Sequence, residues 1–117
     1  MAKETPVIQG VALTGSLVTY YTVPTTDPQT KQVRLTGMRF INTDTVERTV
    51  TVHIIPAGGA AGVANTRFKT LTIQPSSLGY PPPYFAMTDV LLQGTFIQAS
   101  ASAANVVAMS ADGVVLP

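Results

Sequence analysis

The sequence predicts an all-β fold: one antiparallel β-sandwich, jelly-roll-like, built from about eight short strands. Three observations point there. Apolar residues recur with period two almost everywhere, and no window of a dozen residues holds a helical stripe free of Gly, Pro or a β-branched run. Clusters of Pro, Gly, Asn and Asp punctuate the chain at the spacing of short strands. No segment supplies the crossover helices that a parallel sheet requires.

The elements follow in order. Residues 1–10 read as an N-terminal arm and residues 11–117 as a single sandwich domain, with a first strand candidate at Val7 to Leu13. Leu17 to Val23 is next, closed by Pro24 and Asp27-Pro28. In Gln32 to Thr43, Val33 and Leu35 share a phase that Met38 and Phe40 break. A β-bulge at Gly37 restores one buried face. Turn formers at Asn42-Thr43-Asp44-Thr45 then predict an antiparallel hairpin or meander with Glu47 to Ile55. There Val50, Val52 and Ile54 fall on one face, and Thr49, Thr51 and His53 on the other. Pro56-Ala57-Gly58-Gly59 opens a small-residue loop, Ala57 to Asn65, suited to protrude between strands. Thr66 to Gln74, Tyr84 to Leu91, Thr95 to Ser100 and Val106 to Ser110 complete the strands, with Val114 to Leu116 closing. Pro75-Ser76-Ser77 and Pro81-Pro82-Pro83 separate two of them. Ala99 to Ala104 fits a strand end, a loop or a single helical turn.

A chain of 117 residues buries roughly 65% of its unfolded surface, enough for one core. Charged residues are 11% of the chain and nearly cancel to a formal +1, which removes the long-range field that attracts nucleic acid or an anionic membrane. No apolar run is long enough to cross a bilayer as a helix. Without cysteine there is neither a disulfide framework nor a thiolate for metal or nucleophilic chemistry. The first nine residues lack the apolar region of a signal peptide, and none of Asn42, Asn65 or Asn105 begins a glycosylation acceptor pattern. These features suit a protein made in a reducing cytoplasm.

Catalytic chemistry finds little footing. His53 is the sole histidine, with Thr51 and Ile55 on its face and no acidic residue near in sequence to orient it, so a structural role is expected. One histidine with scattered carboxylates does not make a metal site. A serine nucleophile has no other base and no Gly-x-Ser-x-Gly elbow. Glu47, Asp44 and Asp89 are the carboxylates that could pair for glycoside chemistry, without a motif that brings them together. The glycine-rich loop lacks the Gly-Lys-Ser/Thr ending that grips phosphate. No catalytic residue, cofactor or metal is expected. Arg34, Arg39, Arg48, Arg67 and Lys69 serve either surface ion pairing or a partner's carboxylates at an interface rim. Tyr80 to Phe85 sets three prolines among three aromatics, a stiff stretch that presents large rings at low entropic cost or forms a corner packed on its own domain.

Four runs carry a family resemblance: Leu17-Val18-Thr19-Tyr20-Tyr21-Thr22-Val23-Pro24, Phe40-Ile41-Asn42-Thr43, Val50 to Gly59 (Val-Thr-Val-His-Ile-Ile-Pro-Ala-Gly-Gly), and Gly94-Thr95-Phe96-Ile97-Gln98-Ala99. Their order and spacing resemble small virion proteins of tailed bacteriophages from Leu17 to the C-terminus, while Met1 to Gly10 and Tyr80 to Phe85 depart from the pattern. The resemblance implies a jelly-roll-like accessory protein of the particle. It would be a cement or decoration protein on the capsid exterior, binding the major capsid protein, or alternatively a head-fibre or tail component that attaches to the host surface. Assembly in the host cytoplasm and a homo-oligomer, dimer or trimer, go with it; nucleic acid and membrane are not expected partners. A clip across a seam between shell subunits stabilises the closed lattice by mass action, and several contacts multiply its affinity. Exposed aromatic and apolar anchors would carry the binding: Tyr80, Pro82, Tyr84 and Phe85 first, with Val7 and Ile8 of the arm second.

Overall fold

The computed structural model describes residues 4–26, 30 and 32–116. It contains nine strands: β1 (Glu4–Ala12), β2 (Val18–Thr22), β3 (Gln32–Asn42), β4 (Arg48–Ile55), β5 (Thr66–Ile73), β6 (Tyr84–Ala86), β7 (Val90–Leu92), β8 (Phe96–Ala101) and β9 (Val107–Leu116). Two antiparallel sheets face each other. The first runs β1-β9-β3, with β6 and β7 sharing the far side of β3; the second runs β2-β8-β4-β5. In pairing terms β1 meets β9, β2 meets β8, β3 meets β6 and β7, and β4 meets β5. The chain is thus a double ribbon, its first four strands folded back on its last five and wrapped into a sandwich. That is jelly-roll topology.

The phase switch in β3 is a bulge. Leu35 pairs with Gly113 and Gly37 with Asp112, so Thr36 is the surplus residue on β3. Val33 and Leu35 before it, and Met38 and Phe40 after it, are all fully buried on one face. The bulge also explains why the expected strand Tyr84 to Leu91 is two strands. β6 ends at Ala86 against Gly37, and β7 begins at Val90 against Arg34. Between them three residues, Met87 to Asp89, span only Leu35 and Thr36 of β3. They hold by Met87 N–H to Thr36 O (2.9 Å) and Leu35 N–H to Asp89 O (2.8 Å).

The predicted hairpin between β3 and β4 does not form, because the two strands belong to different sheets. The reason lies in Asn42, which is fully buried. Its Nδ2 donates to Val46 O and to Ile73 O, both at 2.9 Å, and its Oδ1 accepts from the Asp44 N–H at 2.9 Å. An asparagine that clamps carbonyls from two segments makes residues 43–47 an arch from one sheet to the other. Ser76 Oγ donates to Asn42 O (3.1 Å) and Ser77 Oγ to Asp44 O (3.2 Å), tying the next arch to the first.

The expected arm is also part of the sandwich. From Glu4 on it is β1, the edge strand beside β9, with Ile8 in the core; residues 1–3 lie outside the described residues. The Asp27-Pro28 punctuation lies outside them as well. After Ala101 the chain turns through residues 102–106, with Asn105 at φ 64°, so Ala99 to Ala104 is a strand end followed by a turn.

Core side chains come from both inner faces: Phe40, Met38, Leu35 and Met109 from the first sheet meet Val50, Val52, Ile97 and Ile73 from the second. Phe40 lies edge-on to Phe68 (6.0 Å between centroids) and to Phe85 (6.1 Å), and Phe68 and Phe85 are 5.0 Å apart. Such clusters add about 0.5–1.5 kcal/mol per pair beyond burial. They close the sandwich on the β5–β6 side.

Candidate functional site: the β3–β6/β7 face

In a strand, successive side chains point to opposite faces, so two adjacent anchors cannot both face outward. Phe85 follows Tyr84 in β6 and points inward into the phenylalanine cluster; Ile8 follows Val7 in β1 and is buried, with Val7 itself packed against the core. Phe85 and Ile8 are therefore supports of the domain's own interior, and Val7, at the register shift between Pro6 and Ile8, is half-buried against the core. Tyr80, Pro82 and Tyr84 do face solvent.

Tyr84 is fixed more firmly than an exposed ring needs to be. It pairs with Arg39 across the strands, and its phenol occupies the space that a side chain at position 37 would fill. Gly37 thus serves both the bulge and the seating of this ring. The Arg39 guanidinium lies 5.6 Å from the ring centroid, a cation–π distance. Despite this seating Tyr84 remains 48% exposed. Tyr80 follows Gly79, whose φ of 89° turns the chain out of a short 3-10 turn at Ser76–Leu78.

The structure adds two residues that the sequence reading passed over. In β7, Val90 and Leu92 are 51% and 63% exposed, while Leu91 between them is buried. They pair with Arg34 and Gln32 of β3. The outer surface along this edge therefore presents Tyr84, Val90 and Leu92 beside Arg39 and Arg34. With Leu78 and Tyr80, five of the nine exposed large apolar residues among the described residues fall within 78–92. A shallow groove of about 250 Å³ lined by Ile54, Pro56 and β7 continues the apolar surface around the edge.

The basic residues divide. Arg48 bonds Asp44 (2.6 Å) and Arg67 bonds Asp89 (3.1 Å), so these two are internal ion pairs. The Arg48 guanidinium, helped by the Thr45 N–H, holds the Asp44 carboxyl below its ordinary range. Among the described residues Arg34, Arg39 and Lys69 have no carboxylate partner. Two arginines with unspent donors beside Tyr, Val and Leu match the composition of interface patches, where tyrosine and arginine are enriched.

Of the other residues considered, His53 is nine-tenths buried and its Nδ1 lies 2.9 Å from Asn65 Oδ1, a partner twelve residues away. Glu47 accepts from Gln74 (3.2 Å), and Asp44 and Asp89 are each held by an arginine. No group of three or more His, Asp or Glu among the described residues is arranged to hold a metal ion. Among the described residues no helix is long and apolar enough to cross a membrane. No protein-family model, curated protein or solved structure matches the chain.

Proposed function

We propose that this protein is a structural component of a tailed-bacteriophage particle, a cement or decoration protein that binds the outside of the major capsid protein lattice and stabilises the head. The observation that carries it is the outer β3–β6/β7 face, where Tyr84, Val90 and Leu92 are exposed beside Arg34 and Arg39, which have no carboxylate partner among the described residues. A rigid sheet presents these groups at fixed spacing, so little side-chain entropy is lost on docking. The arginines suit carboxylates on the shell, which set register and encounter rate, while the apolar side chains supply burial. The four sequence runs that resemble small virion proteins support the same function. Binding as a homo-oligomer, with several faces engaged at once, multiplies the affinity of each.

Co-sedimentation with capsids lacking the protein tests this. Wild-type protein is expected to saturate the shell, and the double variant Arg39→Ala, Tyr84→Ala to bind at least about tenfold more weakly. Equal binding by a folded double variant removes the face assignment. Failure of the wild type to bind any capsid removes the function.

A further inference from the structure

The second sheet carries on its outer side a groove of 330 Å³ that the adhesion face does not use. Its origin is a double irregularity. Val50 pairs with Leu71, Val52 with Phe68 and His53 with Thr66, so β5 holds a surplus residue at each of two steps. At the first step Thr70 adopts φ 47°, a left-handed conformation that a β-branched residue rarely takes, and its N–H donates to Thr51 Oγ1 (3.2 Å). Backbone held in such a state by its surroundings is concentrated at functional sites.

His53 forms the floor. Asn65 Nδ2 donates to Ala60 O (2.8 Å), and its Oδ1 accepts the Gly62 N–H (3.0 Å), which fixes the orientation of the amide. It is therefore Oδ1 that faces His53 Nδ1 at 2.9 Å, and the proton of the neutral imidazole sits on Nδ1. Nε2 then carries a lone pair. It has no partner among the described residues, and no fully buried side-chain nitrogen or oxygen there lacks one, so Nε2 keeps some exposure, and His53 lines the groove. Along the groove Lys69 offers an ammonium without a carboxylate, and the Thr51 hydroxyl, already accepting from Thr70, keeps its hydrogen to donate. Val63, 93% exposed, forms an apolar rim.

An acceptor beside two donors selects the ligand. A carboxylate has no hydrogen for Nε2, and an alkylammonium is repelled by Lys69. Neighbouring hydroxyl groups satisfy both, and a carbon ring that bears them can rest its C–H face on Val63. We infer that this groove binds a saccharide through a vicinal diol, one hydroxyl donating to His53 Nε2 and its neighbour accepting from Lys69. The size fits, since small-ligand pockets begin near 300 Å³. The site is independent of the capsid proposal, and its test uses free protein, so either can fail alone.

Because the chain has one histidine, its imidazole resonances report this site without ambiguity. Glucose, galactose, mannose and N-acetylglucosamine are titrated separately to about 100 mM, with sodium acetate as the anion control. At least one sugar is expected to shift the His53 signals saturably in the millimolar range, acetate to leave them unmoved, and Lys69→Ala or Val63→Ser to weaken the sugar about fivefold or more with unchanged melting. Silence with all four sugars overturns the inference. So does a response to acetate equal to that of the sugars, or unchanged affinity in both variants.

Discussion

Replacing Asn42 by alanine removes three hydrogen bonds at once from the arch that carries the chain between sheets. The bond to Ile73 O is buried, and those to Val46 O and from Asp44 N–H are partly buried. At about 1–1.5 kcal/mol for each lost bond, with the Ile73 carbonyl left dry, Asn42→Ala costs about 3–4.5 kcal/mol. Unfolding entropy near 60 °C is about 2.1 cal/mol/K per residue, hence about 250 cal/mol/K for this chain, and the melting temperature falls by about 12–18 °C. Asn42→Asp sharpens the test. It retains the acceptor for Asp44 but sets a carboxylate against two carbonyl oxygens, so the folded-state pKa of the new acid rises above its unfolded value of about 3.9. A raised folded pKa means that stability is lost as pH rises through it, so the aspartate variant is expected to be weaker than the alanine variant at pH 7 and to recover toward pH 4. Calorimetry of both variants between pH 4 and 7 measures this. A melting point for Asn42→Ala within 2 °C of wild type, about 0.5 kcal/mol, refutes the clamp and with it the account of why β3 and β4 part.

Other outcomes follow from single contacts. Phe85→Ala is expected to cost about 3 kcal/mol through loss of the phenylalanine cluster, whereas Tyr80→Ala stays within about 0.5 kcal/mol; urea unfolding distinguishes them, and equal effects would return Phe85 to the surface. Gly37→Ala is expected to expel the Tyr84 ring from its seat, visible as loss of nuclear Overhauser contacts between the ring and β3, and to weaken capsid binding as Tyr84→Ala does. In a carboxyl-detected titration Asp44 is expected to show a midpoint below the ordinary value of 3.8. Arg48→Ala should move that midpoint upward. Stability supplied by this depressed carboxyl is present above its unfolded pKa and disappears as pH falls through the folded one.

Local pattern carried much of the fold. The out-of-phase pairs Val33/Leu35 and Met38/Phe40 marked the bulge beside Gly37, and the alternation of Val50 and Val52 with Thr49 and Thr51 marked the faces of β4. What period two does not record is the sheet to which a strand belongs. Asn42 looks like any turn former in sequence, and only its contacts with Ile73, 31 residues away, show that it clamps a crossing. The break between β6 and β7 was hidden for a similar reason, since it is imposed by the bulge in the neighbouring β3. The anchors were legible in part. Alternation through Phe85, Met87 and Leu91 already assigns Tyr84, Val90 and Leu92 to the other face. The orientation of the His53 ring depends on Asn65, whose role no spacing rule indicates.

Electron microscopy of protein-free capsids mixed with the purified chain tests the central claim most directly. The account predicts added density at repeated positions over the outside of the shell, with β3, β6 and β7 turned toward the capsid protein. No added density, density confined to the tail vertex, or docking through the β2–β5 sheet instead would contradict it.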